Sequence, residues 1–420
     1  MAGLAVDTLK ENDVSIKFGL YDDGTPALLN LSEAVNPHIL LTGMSGAGKT
    51  HIIRYLCRTL AAARMTVFIV DTQGDITGID GMKDHPFRYS GGGCSINPMR
   101  VDPNQHSGGV RIAIRNTLFV LKRMSRSIGT RQEADLVALL EETYRRAGLV
   151  VDDFSTWGMP APQLRDLLAV VRELLDTLES GFNADVNKVI DDYRKAVAKA
   201  RESEDADALS KVVDAFEENI SALQAHEKAG FVAARRWEYR RLEAIEQVIA
   251  SIVSTGLFCS DDIQPDWGRA NRFHIREDVH KSDQHVLFHL ILDRVFDVAR
   301  RRCRAQNPRL PTMYIVLDEG KYAAAKMDDP LSPLNRIATE GRKYGLGLIM
   351  GVQSPQHLTT DALDNFGTQI LLKTAPTAQD RASRVFKVPD TVLENLELKR
   401  DAMVSISGGR YQRIVLDIPE

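Results

Sequence analysis

Short runs of consecutive apolar residues alternate along this chain with stretches in which apolar residues recur every three or four positions. A continuous apolar run of a few residues suits a strand buried on both faces, whereas the longer spacing marks one face of a helix. HILLT at 38–42 and TVFIVD at 66–71 are runs of the first kind. Between them, THIIRYLCRTLAAARM sets Ile53, Leu56 and Leu60 on one helical face. Downstream, RFHI at 272–275, YIVLDE at 314–319, LGLIMGVQ at 346–353 and TQILLK at 368–373 read as further core strands, and QHVLFHLILDRVFDVARRR as a crossover helix. Strands alternating with helices predict an α/β fold with a doubly wound, mostly parallel central sheet.

The two ends of the chain follow a different pattern. SIKFGLYDDGTPALLNL at 15–31 has two extended runs around Asp23-Gly24, and AMVSIS and RYQRIVLDI flank Gly408-Gly409. Both turn pairs favour β-hairpins. From 126 to 265 the strand pattern stops, and charge-rich helical periodicity takes over, as in QLRDLLAVVRELLDTLESGF. The chain therefore divides into a first part of the core at 1–125, a large helical insertion at 126–265 and a second part of the core at 266–420. Arg235, Arg236, Arg240 and Arg241 form the basic stretch of the insertion. They suit either a solvated, ion-paired helix face or a docking surface.

Composition narrows the function classes. An apolar content of 44% in 420 residues supports a substantial core. A formal charge of −4 and a pI near 6.2 mean that contact with a polyanion must come from local patches. Cys57, Cys94, Cys259 and Cys303 lie far apart, with no CxxC pair or zinc spacing, so they read as reduced thiols. No signal peptide is visible, and no apolar run approaches the roughly 18 residues that span a bilayer. These features predict a cytoplasmic protein without a membrane segment.

Gly43-Met44-Ser45-Gly46-Ala47-Gly48-Lys49-Thr50 satisfies GxxxxGK[ST] in full, with a strand before it and a helix after it. Such a loop wraps phosphate with backbone N–H groups at dihedrals that a β-carbon would forbid. Gly43, Ser45, Gly46, Ala47, Gly48, Lys49, Thr50 and His51 are the expected nucleotide-binding set. Lys49 is assigned to the β- and γ-phosphates and Thr50 to Mg²⁺. YIVLDE supplies the second half of the site: Asp318 for the metal ion, and Glu319 to polarise the attacking water, a pairing that points to hydrolysis of ATP. Asp71 ends its strand where ligands collect in parallel sheets. Gln353, at the end of its own strand, is suited to sense the γ-phosphate.

The segment EGRKYGLGLIMGVQSP resembles the stretch after the second acidic strand in the HerA and FtsK superfamily of DNA-pumping ATPases, with their RecA-like P-loop NTPase core. The likeness extends to HILLTGMSGAGKT, TVFIVD, Ile96-Asn97-Pro98, GLF at 256–258 before QHVLFHLILDRVF, and NFGTQILLK. It implies a homo-oligomeric ring, a hexamer in the family, that translocates on or unwinds double-stranded DNA with ATP held between neighbours. On that basis Arg342 is the expected trans-acting finger, with Arg336, Lys373 and Arg384 as weaker alternatives. Members usually begin with a β-barrel, whereas the first core strand here already starts at residue 38. Either this branch lacks the barrel or the sequence is the ATPase part of a longer chain. Asp71 to Asp75 and the insertion resemble HerA-type ATPases of bacterial restriction and anti-phage systems, which implies a nuclease partner and a role in antiviral defence. The alternatives are a polypeptide or conjugation-type secretion motor, and an ATP-gated assembly or signalling module.

Overall fold

The computed structural model describes residues 14–34, 36–89, 92–105, 108–125, 128–202, 212, 231–260, 263–306, 311–318, 332–354 and 358–419. Its strands are β1 (Ser15–Tyr21), β2 (Pro26–Asn30), β3 (Ile39–Thr42), β4 (Thr66–Asp71), β5 (Lys83–Phe87), β6 (Ala270–Ile275), β7 (Met313–Leu317), β8 (Leu346–Val352), β9 (Thr368–Leu371), β10 (Asp401–Ser405) and β11 (Gln412–Leu416). The longer helices are α1 (Lys49–Ala62), α2 (Gly109–Met124), α3 (Thr130–Arg146), α4 (Leu164–Glu202), α5 (Phe231–Ser254), α6 (Lys281–Gln306) and α7 (Pro333–Glu340). The chain forms two compact units, one from residues 1–96 and 262–420, the other from Asn97–Asp261.

The first unit is built on one sheet in the order β2-β1-β11-β10-β9-β3-β8-β7-β4-β6-β5. From β9 to β5 every pairing is parallel. β3, β4, β7 and β8 are buried at every position, which explains their unbroken apolar sequence: in a doubly wound sheet neither face meets water. α1 covers part of it with Ile52, Ile53, Leu56, Cys57 and Leu60. All four cysteines are free, and burial pushes the Cys57 thiol far up, leaving it a small apolar filler. Tyr314 of β7 stands opposite Gly347 of β8. A Cβ on Gly347 would lie 2.2 Å from the tyrosine ring, so glycine there makes room for a fully buried aromatic.

Both terminal hairpins form, and they join each other. β1 pairs antiparallel with β2 and with β11, and β11 with β10, extending the sheet beyond β9. Gly24, at φ 82°, closes the first hairpin while Asp23 Oδ1 accepts the Thr25 N–H at 2.9 Å. At the opposite edge lies β5, which the sequence pattern did not reveal. KDHPF carries two charges and a proline, the composition of an edge strand that resists further pairing.

The second unit is helical. It opens at Asn97, so α2, which the sequence pattern left with the core, belongs to it. α2 packs on α3 and α5, α3 on α4 and α5, and α4 on α5. Apolar side chains at helical spacing, among them Ile114, Leu121, Leu140, Leu167, Ile245 and Ile249, fill the interior. Asn97 ties the unit together by donating to the Pro162 carbonyl at 2.8 Å and accepting from Met99 N–H at 3.0 Å. Of the basic stretch, Arg241 bridges Asp135 at 2.8 Å and Arg240 is exposed. The side chains of Arg235 and Arg236 lie outside the described residues. Among the described residues no helix is long and apolar enough to cross a membrane.

Candidate nucleotide-binding site

β3 ends in the glycine loop and α1 begins at Lys49, so the loop sits at the carboxyl edge of the parallel sheet. Two backbone hydrogen bonds pin it to both flanking strands. Gly43 N–H donates to the Val352 carbonyl at the end of β8 (3.2 Å), and Met44 N–H to the Lys373 carbonyl just beyond β9 (2.9 Å). Gly46 and Gly48 adopt φ of 78° and 104°, the left-handed region that glycine enters without strain. Nothing lies within 4 Å of where a Gly46 β-carbon would be, so the cradle is open at its tip. Gly43 is needed for a different reason: a Cβ there would lie 2.8 Å from Leu372 Cβ.

Lys49 is buried to 7% exposure, and its ammonium donates to the Gly43 and Met44 carbonyls at 2.8 and 3.0 Å. The side chain thus folds back along the loop, carrying positive charge to the place where the amino end of α1 already favours an anion. His51 follows in the first turn of α1, half-buried. Nucleoside polyphosphate fits this cradle, because backbone donors, an open glycine tip and a buried ammonium converge there.

Thr50 Oγ1 donates to Asp318 Oδ2 at 2.8 Å, joining the end of the glycine loop to the residue that follows β7. β8 runs between β3 and β7, and this sheet order sets the spacing between the two halves of the site. A Cβ on Gly351 would lie 3.2 Å from Asp318 Oδ1 and 3.1 Å from Ile53 Cδ1. Gly351 therefore permits the Thr50–Asp318 approach, a role that its sequence position did not signal. A hydroxyl beside a carboxylate is the kind of sparse donor set that suits Mg²⁺, which completes its shell with water and phosphate oxygens. Among the described residues no group of three or more His, Cys, Asp and Glu side chains is placed to hold a metal.

Gln353 directly follows the Val352 carbonyl that anchors the loop, so it too stands at the carboxyl edge. Glu319 lies outside the described residues. Arg342 lies elsewhere. It is exposed in the Gly341–Tyr344 turn before β8, at the amino end of the parallel strands, and seven strand residues separate that end from Gln353. The separation is about 20 Å, so Arg342 does not serve the site of its own chain. Arg336 is held against α6, 3.4 Å from Asp293 and over the Phe296 ring. Lys373 donates to the Glu394 carbonyl and Arg384 to the Asp380 carbonyl.

Asp71 does not open into the glycine loop. It is 1% exposed and caps its own following turn, accepting from the N–H groups of Gln73, Gly74 and Ile76, with Arg272 Nη1 3.7 Å away. At the amino ends of the strands, His38 accepts the Leu348 N–H on Nδ1 at 2.9 Å, and burial pushes its pKa down to about 4. The imidazole is therefore a neutral structural group.

Comparison with known proteins agrees with this geometry. Residues 16–222 match the family "Helicase HerA, central domain". A probable helicase of Methanocaldococcus jannaschii is 38% identical over 64 residues, a stretch that spans 15% of this chain and 12% of that relative's length. In fold, the chain is similar to VirB4 of Thermoanaerobacter pseudethanolicus, with a TM-score of 0.64 at 15% identity, covering 97% of this chain and 98% of the other. It is also similar to the bacterial conjugative coupling protein TrwB, with a TM-score of 0.52 at 16% identity over 98% and 90% of the two chains. The glycine loop pinned across β8 and β9, the Thr50–Asp318 pair and the family match together identify the chain as a P-loop ATPase whose residues 16–222 belong to the HerA helicase central-domain family.

Proposed function

We propose that this protein is an ATP hydrolase that works as a ring-forming motor on double-stranded DNA, in the cytoplasm and alongside a nuclease partner in antiviral defence. Lys49 holds the β- and γ-phosphates, Thr50 and Asp318 hold Mg²⁺, Glu319 polarises the attacking water and Gln353 reports the γ-phosphate to neighbouring loops. The helicase family match and the likeness to a conjugative coupling protein support a DNA substrate. So does one surface of the helical unit, the observation that carries the reading.

That surface is the outward face of α2. GVRIAIRNTLFVLKRM has four cations and no acid, in a chain whose net charge is −4. Arg111, Arg115, Lys122 and Arg123 are all exposed, together with Ile112 and Phe119. Arg111 and Lys122 are bridged by Asp152 and Glu133, at 2.6 and 2.7 Å. Arg115 and Arg123 have no ion pair among the described residues. Unneutralised cations along one helix face, interleaved with apolar side chains, suit a phosphate backbone. Duplex DNA is expected to raise ATP turnover severalfold, with an effect that declines steeply as salt rises. Arg115→Glu combined with Arg123→Glu should remove that stimulation. Turnover indifferent to DNA but raised by an unfolded polypeptide would instead identify a secretion motor.

Arg342, far from its own glycine loop, suits a finger that reaches the site of a neighbouring subunit in the ring. Arg342→Ala should keep ATP affinity and reduce turnover at least a hundredfold, about the scale on which such fingers act. Wild-type turnover in that variant would remove Arg342 from the mechanism.

A further inference from the structure

Lys399 belongs to none of the motifs above. It lies in the turn between Glu397 and Asp401 that leads into β10, with φ at 62°. A lysine held in the left-handed region is strained relative to glycine, and such residues persist where the surroundings or a function demand them. Two other basic residues share this conformation, Arg64 and Lys387. Both lie just beyond the ends of helices, where left-handed backbone is an ordinary stop signal. No helix of comparable length ends at Lys399.

The turn is firmly built. Asp401 Oδ2 accepts the Glu397 N–H at 3.2 Å and the Arg413 guanidinium at 2.7 Å, and Asp401 N–H donates to the Glu397 carbonyl at 3.1 Å. Of the two acids that flank this turn, Glu397 is taken by Arg400 at 2.7 Å and Asp401 by Arg413 at 2.7 Å. Lys399 is exposed and has no ion pair among the described residues. Its stem lies against the glycine loop: a Cβ on Gly48 would be 3.7 Å from Lys399 Cγ and 3.8 Å from Lys399 Cα. Gly48, at φ 104°, immediately precedes Lys49 and the amino end of α1. The stem of a second cationic side chain thus lies beside the anion-binding end of the loop, on a backbone that would be more relaxed with glycine.

We propose that Lys399 is a nucleotide-binding residue supplied by the same chain, its ammonium neutralising the phosphate charge of a nucleoside triphosphate on the Gly48 side of the loop. This rests on the reading of Gly43 to Thr50 as the triphosphate site, and the test separates the two. Binding of a fluorescent ATP analogue is titrated for wild type, Lys399→Gly, Lys399→Met, Lys399→Arg and Lys49→Ala, with the melting temperature of each measured without nucleotide. Lys399→Gly should melt no lower than wild type, because it relieves the backbone, yet bind about tenfold more weakly, as loss of one charge-assisted contact implies. Lys399→Met should weaken binding to the same degree and flatten its salt dependence. Lys399→Arg should retain affinity. Wild-type affinity in both Lys399→Gly and Lys399→Met would overturn the assignment. Wild-type affinity in Lys49→Ala would show instead that the glycine loop is not the site.

Discussion

Lys49→Ala is expected to lower affinity for ATP by more than a hundredfold and to eliminate measurable turnover. The ammonium is 7% exposed and hydrogen-bonded to the carbonyls of Gly43 and Met44, so it is positioned before any ligand arrives. A charge held in place within a desolvated site acts on phosphate more strongly than one in water, so the loss in affinity lies at the upper end of what a charge-assisted contact supplies. Removing a preorganised donor costs roughly a further two to three orders of magnitude in turnover. The loop's own anchors, from Gly43 to Val352 and from Met44 to Lys373, involve backbone atoms alone, and alanine leaves them in place. Titration with a labelled nucleotide, alongside circular dichroism to verify the fold, measures the effect. Wild-type binding by a folded Lys49→Ala protein would refute the site.

The largest effect on stability is expected at Arg272, far from any motif. Its Nε and Nη2 grip Asp84 at 2.7 and 2.9 Å, its Nη1 donates to the Ile76 carbonyl at 3.0 Å, and the same nitrogen lies 3.7 Å from Asp71. Asp71 is 1% exposed and holds the turn after β4 through three backbone N–H groups. Arg272→Ala would leave that carboxylate buried without a cation. Breaking a buried pair from one side costs about 3–5 kcal/mol, which for a unit of this size lowers the melting temperature by about 10 °C. Urea unfolding should show a matching decrease in midpoint. A loss below about 1 kcal/mol would mean that the three N–H donors alone sustain Asp71.

Asp71 also shows where reading along the chain falls short. An acid at the carboxyl end of a parallel strand points toward a ligand on pattern alone, but the turn it caps and the arginine it meets lie 1 to 5 and about 200 residues away, respectively. Short-range patterns convey the first kind of information and not the second. β5 illustrates a related limit: a charged, proline-bearing edge strand lacks the apolar signature by which strands are recognised, and only its pairing with β6 defines it. The boundary between the units, set at 126 where charge-rich helical periodicity takes over, falls at Asn97 instead, because a helix's sequence does not report which neighbours bury it.

What the sequence determined alone is local. Apolar runs, glycines and turn pairs specify the parallel core strands, both terminal hairpins and the phosphate loop, because each depends on backbone propensities and burial within a few residues. Tertiary structure decided whatever depends on strand order. Placing β8 between β3 and β7 brings Thr50 to Asp318, makes Gly351 a spacer and sets Arg342 at the far end of the sheet from its own loop. The same packing brings Lys399 to Gly48 across some 350 positions of chain. Residues that distant meet only when the sheet has formed, and no local pattern encodes the encounter.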